Sequence, residues 1–171
     1  MLSSKELSGL WRKHAAALLL MARGHCRGID SGLADDCVQE AFIRLAGQTP
    51  QPDDPAAWLT RVVRNAAIDA IRTHQRRTSR ERIAARERPT WLQPVNPSDT
   101  EHLSPVEVQQ ALQQLDDMTR DIIVARIWND MTFRQIAAAF DLSHATCQRR
   151  YETGIQQLRT IITVQENATC Q

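Results

Sequence analysis

Arginine is the residue type in this chain best placed to do chemistry. Nine arginines and only three acidic residues fall between Arg61 and Arg88, and a pair, Arg149 and Arg150, lies nearer the C-terminus. A guanidinium keeps its charge and presents a planar fork of donors, which grips phosphate or pairs bidentately with a guanine edge. The mid-chain run, continuing as HQRRTSRERIAARER, points to a polyanionic partner. Enzyme chemistry has no comparable signature. There is no nucleophile–base arrangement, glycine-rich phosphate loop or ligand cluster, so no catalytic residue, metal or cofactor is expected. His25, Cys26 and Cys37 could share a metal, but no zinc spacing is present.

The elements that must position these groups are helices. Thr132 to Leu158 reads as two of them joined by a tight turn. Thr132 and Gln135 are spaced as a capping box, and Phe133, Ile136, Ala137 and Phe140 follow at helical intervals. Asp141-Leu142-Ser143 breaks the pattern, and Ser143 suits the N-cap of the next helix. There Cys147, Tyr151, Ile155, Leu158 and Ile162 share one face. Arg149, Thr153 and Gln156 point the opposite way, with Ala145, Thr146, Glu152 and Arg150 along the border. That is the pattern of a helix-turn-helix, whose second helix enters the major groove. An ordinary helical hairpin has the same spacing.

The 171 residues suit one domain or two small ones. The near balance of 21 basic and 20 acidic residues does not advertise a nucleic-acid binder. Its distribution is more telling: from Glu101 onward six arginines face nine acidic residues, so the positive field sits mid-chain. Four cysteines form no CxxC pair, and reduced thiols in a cytoplasmic protein are expected. The apolar run at 15–22 is too short to span a membrane.

Taken in order, residues 3–24 read as a helix capped by Ser3 or Ser4, with a broad apolar face. A second helix opens at Asp30 or Ser31 and runs to about Ala46, burying Leu33, Cys37, Val38, Ala41, Phe42 and Leu45. Asp35, Asp36, Gln39, Glu40 and Arg44 are left outside. Asp54-Pro55 starts a third helix as N-cap and first residue, running toward Arg77. It buries Leu59, Val62, Val63, Ala66 and Ala70; Arg61, Asn65 and Arg72 line another face. Residues 89–103 hold three prolines and no basic side chain and read as an extended linker. Ser104-Pro105-Val106-Glu107 restarts helical structure, and a further helix spans about Thr119 to Trp128. The end from Glu166 reads as a frayed tail. There is no strand signal and no internal repeat. The expected fold is all-α: two small helical domains, 1–88 and 104–164, joined by the proline-containing linker 89–103 and followed by a tail at 165–171.

With both halves laid out, the chain resembles a bacterial RNA polymerase sigma factor of the extracytoplasmic-function group. DDCVQEAFIRLAG at 35–47 and DPAAWLTRVVRNAAIDAIR at 54–72 resemble the family's second conserved region. Residues 103–159, LSPVEVQQALQQLDDMTRDIIVARIWNDMTFRQIAAAFDLSHATCQRRYETGIQQLR, resemble its fourth. Departures are Asn129-Asp130 where the family usually carries glycine, Asp116 where it carries proline, and a short loop at 47–54. The resemblance implies a protein that binds core RNA polymerase, directs it to promoters and promotes strand opening. It implies that Asp36, Gln39, Glu40 and Arg44 dock on polymerase. Asn65 would meet a base of the minus-ten element, while Arg61, Arg64, Arg72, Arg76 and Arg77 hold phosphates. Thr132 and Arg134 would contact the backbone at the minus-thirty-five element, where Thr146, Gln148, Arg149 and Arg150 lie on the reading helix. Trp58 and Cys147 are expected in the core. Core RNA polymerase and promoter DNA are the expected partners, an anti-sigma factor is a further candidate, and no membrane insertion is expected. The main alternative is a stand-alone helix-turn-helix regulator with a helical dimerisation domain.

Overall fold

A computed structural model of the chain describes residues 2–26, 32–84 and 105–169, and these form seven helices. The N-terminal three are α1 (Ser4–His25), α2 (Gly32–Gly47) and α3 (Pro55–Ala84). Their ends follow local chemistry. Ser3 caps α1 in a capping box with Glu6, and the Asp54 carboxylate accepts from the Ala57 amide at 3.0 Å to start α3. The three helices pack on one another around Leu18, Leu45, Leu59 and Val63, which are at most 1% exposed. The α3 helix continues past Arg77 to Ala84, because no breaker interrupts the arginine-rich run. The openings expected at Asp30, Ser31 and Ser104, and the linker 89–103, lie outside the described residues.

The C-terminal four are α4 (Pro105–Gln113), α5 (Asp117–Ile127), α6 (Phe133–Phe140) and α7 (His144–Thr169). Asp116 caps α5 from the position where proline was the expected residue, accepting from the Thr119 amide. That moves the start two residues ahead of the sequence reading. Thr132 and Gln135 form the capping box of α6, and Ser143 accepts from the Thr146 amide to cap α7. The α6 helix stops at Asp141 in a left-handed conformation, with φ of 56°. A second left-handed residue, Asp130, takes the turn before α6. Asp reaches this conformation more readily than most residues with a side chain, so the family's usual glycine is dispensable there. The α7 helix runs on past Glu166 as far as Thr169.

Seven consecutive residues of α5, Thr119 to Ala125, are buried. A helix buried all round must have neighbours on every side, and α5 packs on α7, α6 and α1. The two halves are thus in contact: α1 lies on α5, and α3 on α6. Gly154 of α7 permits part of this packing, since a Cβ there would collide with Thr119 and Ile123.

Candidate nucleic-acid and polymerase interfaces

Three surfaces carry the residues singled out by sequence. On α2, Asp36, Gln39, Glu40 and Arg44 are all exposed, and Arg44 donates to Glu40 at 2.9 Å. Ile43 stands among them, 67% exposed. Sequence reasoning placed it neither in the α2 core nor among the docking residues. On the neighbouring side, Trp11 packs edge-on against Phe42 at 4.8 Å and borders a groove lined by Leu7 and Arg12. The acidic-amide patch therefore has an apolar centre and an apolar flank.

On α3, Arg61, Asn65, Arg72, Arg76 and Arg77 are exposed, with Arg72 3.5 Å from Asp69. Arg64, expected to hold phosphate, is engaged within the chain in this structure. Its Nε donates at 2.7 Å to Asp121, a fully buried carboxylate of α5, and its guanidinium lies over the Phe140 ring. The second half lies along the face of α3 that carries Ala57, Thr60 and Arg64, and Arg61 is turned off that face into solvent. Trp58 is half-buried against the first core, in keeping with a packing residue.

On the helix-turn-helix, Thr132, Arg134, Gln148 and Arg149 are exposed. Gln148 donates to Glu152 at 3.0 Å. Two of the residues expected at DNA, Thr146 and Arg150, also have partners within the chain. The Thr146 hydroxyl lies 2.8 Å from that of Ser143, within the α7 cap. The Arg150 guanidinium donates to Asp116 and Thr119 at the start of α5. Arg149, one position along, is left as the outward guanidinium of this helix face, while His144, exposed at its start, packs edge-on against Phe133.

The buried thiols serve packing. Burial pushes Cys26 up to about 11, with Cys37 nearby adding to the shift. Burial likewise raises Cys37 and Cys147 above the ordinary thiol range. Such groups stay protonated at neutral pH and are poor ligands or nucleophiles. His25, the third member of the metal trio considered from sequence, turns away to Asp121, 2.9 Å from its Nε2. No helix among the described residues is long and apolar enough to cross a membrane.

A helical bundle with a basic exposed helix, tethered to a helix-turn-helix with an outward arginine, defines a two-part DNA-binding protein. Comparison with known families sharpens this. Sigma-70 region 2 matches residues 10–77 and sigma-70 region 4 matches residues 111–160. The chain is 29% identical over 136 residues to the RNA polymerase sigma factor CarQ of Myxococcus xanthus, covering 78% of this chain and 76% of that one. It is 25% identical over 147 residues to the ECF RNA polymerase sigma factor SigK of Mycolicibacterium vanbaalenii, covering 79% and 71%. Its fold is similar to that of the sigma factor RpoE of Bartonella quintana, solved in complex with the anti-sigma factor NepR. That likeness has a TM-score of 0.65 at 17% identity over 94% of this chain and 98% of the other. The chain belongs to the extracytoplasmic-function group of RNA polymerase sigma factors.

Proposed function

We propose that this sigma factor divides its promoter work between α3 and α7, with α2 holding it on core RNA polymerase. The observation that carries the reading is the coexistence of both matched regions, each presenting at least one exposed arginine on a packed helical bundle. On α2, the patch Asp36, Gln39, Glu40 and Arg44 offers charge complementarity to a basic partner helix. Ile43 supplies an apolar centre of the kind that dominates docking energy. On α3, Asn65 meets an unstacked base of the minus-ten element while Arg61, Arg72, Arg76 and Arg77 neutralise the backbone. Arg64 joins them only when it leaves Asp121. On α7, Arg149 and Gln148 read the minus-thirty-five element, with Thr132 and Arg134 on the flanking phosphates.

The functional units run over 1–88 and 104–164, joined through 89–103, and limited proteolysis should cut within that stretch. The place of action is the cytoplasm, where polymerase is found, and an anti-sigma factor is a further partner. The net negative charge from Glu101 onward implies weak DNA binding by the second unit alone. Such a protein reads promoters only while polymerase holds it there. A stand-alone regulator is disfavoured because a whole sigma region would be left as mere dimerisation surface. Run-off transcription with purified core polymerase on a genomic promoter library tests the reading. Addition of the chain should start transcripts at discrete promoters. Promoter binding without polymerase, and no new transcripts with it, would favour the regulator.

A further inference from the structure

The outward face of α7 carries an acid. At about 100° per residue, Ala145, Gln148, Arg149 and Glu152 lie side by side across the helix from buried Cys147, and all four are exposed. Glu152 sits one turn beyond Gln148, and its carboxylate accepts from the Gln148 Nε2 at 3.0 Å. Arg150 adds little charge to this face, because Asp116 and Thr119 hold its guanidinium at the start of α5. Arg149 and Glu152 are of opposite sign, so the four side chains together bring no net charge to DNA. A carboxylate placed among phosphates weakens binding to every sequence alike. The bond that Glu152 makes there is to Gln148, a residue assigned above to reading.

That bond decides which edge of the amide is presented. A carboxylate only accepts, so it holds the amide nitrogen, and not the carbonyl oxygen, toward itself. Donation of the hydrogen that points away from the carbonyl leaves the oxygen and the second N–H side by side. One acceptor next to one donor matches the N6–H and N7 of adenine in the major groove. Guanine presents two acceptors there, O6 and N7, and the held amide would set its oxygen against one of them. A free amide could turn over and offer a donor instead. Turning over here would set its oxygen against the Glu152 carboxylate.

We infer that Glu152 is a positioning residue for the minus-thirty-five element: it holds the Gln148 amide in the orientation that pairs with adenine, and its charge lowers the affinity for DNA that lacks the match. Specificity is a difference of affinities, built from weakening the wrong sequence as well as from gripping the right one. Glu152 does the first directly and the second through Gln148. The role rests on the proposed reading of the distal element by α7.

The test uses holoenzyme, assembled from core polymerase and the full chain, binding a promoter library in which the minus-thirty-five element is randomised. Gln148→Ala should erase an adenine preference at one position, which identifies that position. Glu152→Ala should lower the preference for adenine over guanine there by about fivefold or more, and should tighten binding to scrambled elements severalfold. Glu152→Gln separates the two effects. Its amide oxygen still accepts from Gln148 but carries no charge, so the adenine preference should stay near wild type while binding to scrambled elements tightens. In a Gln148→Ala background, Glu152→Ala should leave base preference unchanged. All these side chains are exposed, and Ala and Gln are good helix formers, so circular dichroism should show a native fold throughout. An unchanged adenine preference in Glu152→Ala would make the pair an ordinary helix contact between neighbouring turns and overturn the role. A shift in preference that persists without Gln148 would overturn it too, since Glu152 would then read a base itself. If Gln148→Ala and Arg149→Ala both leave the distal preference intact, the assignment of α7 fails and the role of Glu152 with it. If only the Glu152 substitutions are silent, the assignment stands and the positioning role alone fails.

Discussion

Leu18, Leu45, Leu59 and Val63 meet at the centre of α1–α3, and among the described residues the hydrophobic side chains clustered with them lie in the first seventy residues. The cluster around Leu112, Ile122, Ile123 and Ile136 is assembled differently. It is completed by Leu20 and Met21 of α1 and Ala57 of α3. The first half buries its own apolar surface; the second borrows part of its core. The charges run the opposite way, with the arginine-rich field on the self-contained half and net negative charge on the borrowing one. The self-contained half can thus grip a polyanion as a rigid unit.

The largest effect that would sharpen this contrast comes from core truncation. Leu45→Ala and Met21→Ala should each destabilise the full chain by about 2–5 kcal/mol. Only Leu45→Ala should lower the melting temperature of a 1–88 fragment by a comparable amount, because Met21 serves the second cluster. Equal losses in the fragment would erase the distinction between self-contained and borrowed cores. Gly154→Ala should cost the second half about 1–3 kcal/mol by overpacking, since the new methyl group meets Thr119 and Ile123. Denaturant titration would register this as a shift in midpoint, and an unchanged midpoint would mean that α7 can slide away from α5.

A smaller change, about 1 kcal/mol, is expected for Thr132→Ala, which removes the cap of α6. Thermal melts followed by circular dichroism should show the loss in the second half alone. The smallest effect concerns acid. Burial pushes the Asp116 carboxyl up, but hydrogen bonds from Thr119 and the Arg150 guanidinium outweigh it, so it lies below the ordinary range. A depressed native value contributes stability above the unfolded value and loses it as pH falls through the native one. Asp116→Asn keeps a capping oxygen but carries no charge, so its acid-denaturation curve should be slightly flatter than the wild type's. Coincident curves would mean that the cap acts without its charge.

Much of the helix framework was legible because its signals are local. Ser3, Asp54, Thr132 and Ser143 each cap the helix their spacing announced, with partners three residues away. The end of α3 was not legible, since nothing between Arg77 and Ala84 stops a helix. The start of α5 was misplaced because Asp116 was weighed as a missing proline rather than as a cap. Within the candidate sites, exposure followed helical phase, so Arg61, Asn65 and Arg149 emerged as expected. Arg64 and Arg150 did not, because their partners Asp121 and Asp116 lie 57 and 34 residues away. Periodicity says which way a side chain points and nothing about what a distant part of the chain brings to meet it. For the same reason His14 gave no signal, and His25 and Asn129 were singled out only as a metal candidate and a turn residue.

The central claim, that α3 opens the promoter while α7 reads it, is tested most directly by comparing Asn65→Ala and Arg149→Ala in holoenzyme on one dependent promoter. Permanganate reactivity would report melting, and binding to intact and scrambled minus-thirty-five sequences would report reading. Asn65→Ala should leave closed-complex binding in place and reduce permanganate reactivity. Arg149→Ala should lose about 1–3 kcal/mol of discrimination on the intact distal sequence and little on the scrambled one. Uniform weakening by Arg149→Ala on every sequence, together with unaltered melting by Asn65→Ala, would contradict the division of labour between the two helices.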